Sequence, residues 1–170
     1  MIFLGLGSNL SSKFGNRFEN INLAIKYMER YGIKIIKKSS FYETPSYPDN
    51  KKPKFINMVI SIDTYLPPID LMSVLVFIEE NFERKRLKKN DPRTLDIDII
   101  DYNNKILNLK YKELDLVIPH KKMTLRNFVL FPLYEIAPDW THPETNEIIT
   151  DLLKNLTIEE NKSILKVNQN

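Results

Sequence analysis

Apolar residues recur in this chain with two different periods, and the order in which those periods alternate is the strongest constraint on its fold. Residues 2–7 form a short apolar run that ends in Gly-Ser-Asn, which reads as a strand and a turn. Phe14, Phe18, Ile21, Ile25 and Met28 then return at helical spacing, with Gly32 as the stop. Residues 33–42 read as a second strand, followed by a loop over 44–54 that carries Pro45, Pro48 and Pro53. Residues 55–65 alternate as a third strand. Pro67-Pro68 ends it, Asp70 is a candidate helix cap, and Leu71, Val74, Leu75 and Ile78 make the stripe of a second helix. Residues 95–102 read as a fourth strand, and Asn103-Asn104 signals a hairpin into 106–109. A short apolar piece at 116–118, a helix over 125–134 with Pro132 near its end, and a helix around 149–156 complete the pattern.

Two successive β-α-β units of this kind are a split βαβ arrangement. The expected class is α+β: a ferredoxin-like α–β–α sandwich with an antiparallel sheet and a C-terminal elaboration. Residues 1–156 are expected to be one domain, and 157–170 a polar, partly disordered tail. The 170 residues suit a single domain, and 42% hydrophobic residues suffice for a core. The formal charge of +3 gives no whole-protein electrostatic case for nucleic acid. With no cysteine, disulfides and thiolate metal sites are excluded, and two histidines argue against a multi-histidine zinc site. No apolar stretch approaches about 20 residues, so no membrane-spanning helix is expected. The first residues lack a basic leader segment, so the expectation is a cytoplasmic protein, acting as a monomer on small molecules.

The run Asp91-Pro-Arg-Thr-Leu-Asp-Ile-Asp-Ile-Ile100 carries the most chemistry. On a strand, Asp96 and Asp98 share a face, with Cα atoms about 6–7 Å apart. Arg84, Lys85, Arg86, Lys88, Lys89 and Arg93 lie just upstream. An acid pair beside clustered cations suits a magnesium–polyphosphate site, because Mg²⁺ takes a few carboxylates plus phosphate oxygens and arginine holds the remaining charge. The plain alternative is a solvated strand face beside a hydrated helix end.

Three further clusters accompany it. Gly5-Leu-Gly7-Ser8-Asn9 follows the first strand without matching G-x-G-x-x-G or a Walker motif, and turn chemistry favours a tight turn there. Phe55 and Asn57 on one strand face suit stacking on and hydrogen bonding to a flat heterocycle, or plain core packing. Pro119-His120 lies near Lys121, Lys122, Arg126 and Phe128, which suits a phosphate-facing histidine or a structural one.

Taken in order, Gly5-x-Gly7-Ser8-Asn9, Ser39-Ser-Phe-Tyr-x-Thr-Pro45, Phe55-x-Asn57, Pro92-Arg-Thr-Leu-Asp96-x-Asp98-Ile and Pro119-His120 with Arg126 and Phe128 resemble the 6-hydroxymethyl-7,8-dihydropterin pyrophosphokinases of folate biosynthesis. The resemblance covers about residues 1–140. It implies attack of the pterin hydroxymethyl oxygen on the β-phosphorus of ATP, with release of AMP. It implies two Mg²⁺ ions on Asp96 and Asp98, with Arg84, Arg86 and Arg93 as catalytic arginines of a mobile loop and phosphate contacts. Thr44, Pro45, Tyr47 and Asn57 would read the pterin edge, and Phe55 and Phe128 would sandwich its ring. Arg93, Ile99, Leu116, Val117, His120, Lys121 and Arg126 would bind ATP.

This chain departs from the family pattern at several positions. Asn90-Asp91 stands where the family commonly has Trp-Gly, Val76 where a glutamine often contacts adenine, and Lys121 where tyrosine is frequent. An arginine common upstream of the Pro-His pair is replaced near Asp115. The expectation is retained chemistry with altered ATP contacts. The competing function is a non-catalytic pterin- or nucleotide-binding ferredoxin-like module, which would not need Asp96 and Asp98 together.

Overall fold

The apolar run near the N-terminus forms β1 (Ile2–Ser8), which pairs antiparallel on both edges. The computed structural model describes residues 1–46, 49–82, 91–111 and 114–169. On one side of β1 lies β4 (Phe55–Asp63) and on the other β5 (Asp96–Tyr102). The far edge of β4 carries both β2 (Lys34–Lys38) and β3 (Phe41–Thr44). With β8 (Leu165–Val167) added to β3, the sheet order is β5-β1-β4-β3-β8, with β2 beside β3 on β4. This is the expected antiparallel sheet of the split βαβ pattern.

Helices α1 (Arg17–Arg30) and α2 (Pro68–Asn81) cross over between strands and seal one face. Asn16 starts α1 with a full capping box to Glu19, and Gly32, at φ +73°, takes the left-handed conformation that ends it. Leu4, Leu6, Ile97 and Ile99 of the sheet meet Ile21, Ile25, Leu71, Leu75 and Ile78 of the two helices. A second core lies on the other face, where α3 (Asn127–Ile136) and α4 (Ile149–Lys154) cover Phe3, Val59 and Ile100 together with Trp140.

The register of β5 slips against β1 between Phe3 and Leu4: Phe3 pairs with Asp101 and Leu4 with Ile99. Ile100 is the extra residue of a β-bulge, so Ile100 and Asp101 both turn to the second face. There the fully buried Asp101 accepts a hydrogen bond from Trp140 Nε1 at 2.8 Å and one from the Asn104 amide at 3.0 Å.

Several expectations need correction. Residues 33–42 are two strands, because the Ser39 hydroxyl takes the Val59 amide proton at 3.0 Å and Glu135 takes that of Ser40, diverting the ladder. Asp70 is not the cap of α2; Pro67 holds that position, and Asp70 lies in the first turn, where its charge suits the helix dipole. The Asn103-Asn104 turn exists, with φ of 53° and 55°, yet makes no hairpin with β5. Instead β6 (Leu107–Tyr111) pairs with β7 (Leu114–Ile118) in a separate two-stranded sheet. The outer edge of β5 is otherwise engaged: buried Glu79 accepts the Ile97 amide at 2.7 Å, and the Ile100 carbonyl accepts the His120 amide at 3.0 Å.

The helix expected over 125–134 begins later, after a short 3₁₀ turn at Met123–Leu125, and holds Pro132 inside it. Beyond residue 156, α5 (Ile158–Lys162) has its own capping box on Thr157, and β8 extends the sheet.

Candidate active site

Gly5 and Gly7 are extended residues inside β1, not a turn, and their place explains why they are small. Gly5 stands across from Asp98; Gly7 stands across from Asp96 on one side and Asn57 on the other. A Cβ on Gly7 would lie 3.4 Å from Asn57 Oδ1, 3.6 Å from Phe55 Cδ1 and 3.9 Å from Asp96 Cβ. Gly7 is therefore the floor where the acidic pair meets the amide and the aromatic ring. The alternation of β5 puts Asp96 and Asp98 on this face and buries Ile97 and Ile99 on the other, as the sequence suggests.

Two arms of like composition flank the pair. Arg93 Nη1 lies 3.2 Å from Asp96 Oδ2, and the same guanidinium sits 5.5 Å from the centre of the Phe55 ring. Arg126 Nη1 lies 3.2 Å from Asp98 Oδ2, 5.4 Å from the Phe128 ring. Each carboxylate thus carries an arginine, and each arginine rests over an aromatic face. Arg93 Nε is buried and makes no hydrogen bond within the protein.

His120 reaches the site from the segment after β7, its Nε2 3.9 Å from Asp98 Oδ2. Burial pushes its pKa below the ordinary histidine value; Asp98 works against that shift and Arg126 with it. Nδ1 accepts the Lys122 amide at 3.2 Å, so the neutral ring carries its proton on Nε2 and presents it to the site.

Asn57 donates through Nδ2 to Thr44 Oγ1 at 2.9 Å and to the Tyr42 carbonyl at 3.3 Å. Its Oδ1 is left as an acceptor beside Gly7, and Thr44 keeps a hydroxyl proton to give. Both residues are buried, whereas Pro45 is exposed. Ile99 and Leu116 are nearly wholly inside the core against α1 and α2, Val117 is half-buried and Lys121 exposed. Arg84, Arg86 and Tyr47, with the Asn90 departure, lie outside the described residues.

Two supporting residues have roles that the motif reading does not assign. Glu79 fixes the strand between the two aspartates through the Ile97 amide. Asn9, which closes the Gly5-x-Gly7-Ser8-Asn9 run, ties three segments together. A carboxylate on the apolar stripe of α2 is the available signal for the first; for the second it is membership of the ordered motif set, which names the residue without its partners.

A family model for 7,8-dihydro-6-hydroxymethylpterin-pyrophosphokinase matches residues 3–138. The chain belongs to this pyrophosphokinase family. A 2-amino-4-hydroxy-6-hydroxymethyldihydropteridine pyrophosphokinase of Haemophilus influenzae is 36% identical over 153 residues, 89% of this chain and 90% of the relative. Its counterpart in Synechocystis is 37% identical over 89% of this chain and 73% of the relative. The folic acid synthesis protein fol1 of Pneumocystis carinii is 35% identical over 96% of this chain, but the chain spans only 21% of that protein. Among solved structures, wild-type Plasmodium falciparum HPPK-DHPS has the same fold, with a TM-score of 0.72 at 19% identity, over 90% of this chain and 44% of the other.

Proposed function

We propose that this chain carries out the family's reaction itself: transfer of pyrophosphate from ATP to the hydroxymethyl group of 6-hydroxymethyl-7,8-dihydropterin, with release of AMP. The observation that carries this reading is the meeting of Asp96, Asn57 and Phe55 at Gly7, with Asp98 across from Gly5 and one arginine–aromatic arm on each carboxylate. The hydroxymethyl oxygen attacks the β-phosphorus, and the bond from that phosphorus to the oxygen bridging to the α-phosphate breaks.

Asp96 and Asp98 are the residues to hold two Mg²⁺ ions. They fit that role in their chemistry: two carboxylates on one face of β5, across from Gly5 and Gly7, would leave phosphate oxygens and water to complete each shell. Bound there, the ions would neutralise phosphate charge and lower the pKa of the attacking hydroxyl. The protein's own groups do the rest. Arg93 and Arg126, now on the carboxylates, are placed to turn to the triphosphate when cations take their partners. The Nε2 proton of His120 donates to a phosphate oxygen without adding charge. Asn57 Oδ1 and the Thr44 hydroxyl fix the pterin edge, with Phe55 and Phe128 against the ring faces. Phosphoryl chemistry of this kind needs position and charge compensation more than a protein nucleophile.

No helix among the described residues is long and apolar enough to cross a membrane. Action on small molecules as a cytoplasmic monomer is part of the proposed reading. The test is AMP formation from ATP and the pterin, with and without Mg²⁺. Release dependent on both metal and pterin is expected. Pterin binding without AMP under all metal conditions would favour the non-catalytic module.

A further inference from the structure

We infer that Asn9 is a positioning residue that locks the pterin-side loop to the phosphate-side arginine, so that the two substrates are held in register. The inference rests on the reaction proposed above. Asn9 is 2% exposed, and its side chain is used on both ends. Oδ1 accepts the Arg93 amide at 2.6 Å, while the Asn9 amide donates back to the Arg93 carbonyl at 3.0 Å. Nδ2 donates to the Pro53 carbonyl at 3.0 Å and to Ser46 Oγ at 3.3 Å, and Ser46 Oγ itself donates to Pro53 at 2.8 Å. One amide therefore joins the end of β1, the loop after β3 and the segment entering β5.

The two ends of this amide point at different chemistry. The Arg93 end fixes the backbone of the residue whose guanidinium meets Asp96 and Phe55. The other end fixes the loop that follows Thr44 and Pro45 and returns to Phe55. Simple loop closure would be met by backbone bonds within one segment; here an acceptor and a donor are required in opposite directions. Among the side chains of this size, only asparagine supplies both.

Asparagine's two functions can be separated by substitution. Asn9→Asp keeps the acceptor for Arg93 and sets a carboxylate against the Pro53 carbonyl. Asn9→Ala loses both ends. Steady-state kinetics and pterin binding by calorimetry should be measured on each, with circular dichroism to establish the folded fraction. For Asn9→Asp the expected result is a pterin KM and Kd raised about tenfold, the loss of one or two hydrogen bonds, with ATP KM within twofold of the unaltered chain. For Asn9→Ala, kcat should fall at least tenfold in addition. Folded variants with both KM values and kcat unchanged would overturn the inference, as would equal changes in both KM values for Asn9→Asp. An unaltered chain that releases no AMP would instead defeat the underlying reaction, and the calorimetric arm would still separate the two.

Discussion

The two faces of β5 come from alternate residues of one seven-residue strand, and they have opposite fates. Ile97 and Ile99 vanish into the sealed core under α1 and α2, while Asp96 and Asp98 look onto a face that α3 and α4 cover only toward Phe3, Val59 and Ile100. The difference teaches that the site is the uncovered end of a sheet face. Closing one face completely supplies the rigidity that lets charges be held in place on the other.

The largest effect should come from the open face. Asp96→Ala and Asp98→Ala should each lower the rate of AMP release by about 10²–10³-fold or more while the protein stays folded. Rate assays paired with thermal melts check this, and activity within a few-fold of the unaltered chain would remove the acidic pair from the mechanism.

The sealed face should behave in the opposite way. Leu75 is fully buried, so Leu75→Ala should cost about 2–5 kcal/mol in urea unfolding, with KM values for the folded enzyme nearly unchanged. A large KM change there would show that the two faces are not independent.

The smallest effect belongs to the covered end of the second face. Glu135 on α3 accepts from the Ser40 amide at 3.1 Å, Ser40 Oγ at 2.7 Å, the Tyr42 hydroxyl at 2.8 Å and Lys166 at 3.1 Å. Burial pushes its pKa up, but these donors outweigh burial and leave it below the ordinary glutamate value. The folded carboxyl therefore binds its proton less readily than the unfolded one. Its stabilisation is complete above the unfolded pKa and is lost as pH falls through the folded value. Glu135→Gln should cost about 1 kcal/mol at pH 7 and flatten the acid side of the stability curve below about pH 4.5. Melts from pH 7 to pH 3 measure it; an unchanged slope would assign the acid sensitivity elsewhere.

What could be read from residues alone follows the same division. The alternation from Leu95 to Ile99 by itself places both aspartates on one face, because strand period leaves no other choice. The split βαβ order was legible for the same reason. The break at Ser39, the separate pairing of β6 and the anchoring of β8 were not, since each depends on a partner distant in sequence: Val59, β7 and β3. The two glycines of β1 were misjudged because turn chemistry weighs the residue type, whereas their smallness answers to Asn57, Phe55 and Ile100 across the sheet. The motif names Asn9 but not its role, because its bonds span 37 and 84 positions.

The bulge at Ile100 has a bearing on how related chains can differ in length. Remove Ile100 and the pairing of Leu4 with Ile99 and of Phe3 with Asp101 becomes one unbroken alternation, with Asp96 and Asp98 still on one face. Remove Ile97 instead and Asp96 changes sides. The register of the acidic pair is therefore insulated from a lost codon at Ile100, whose cost would fall on the second core and on the bond to the His120 amide.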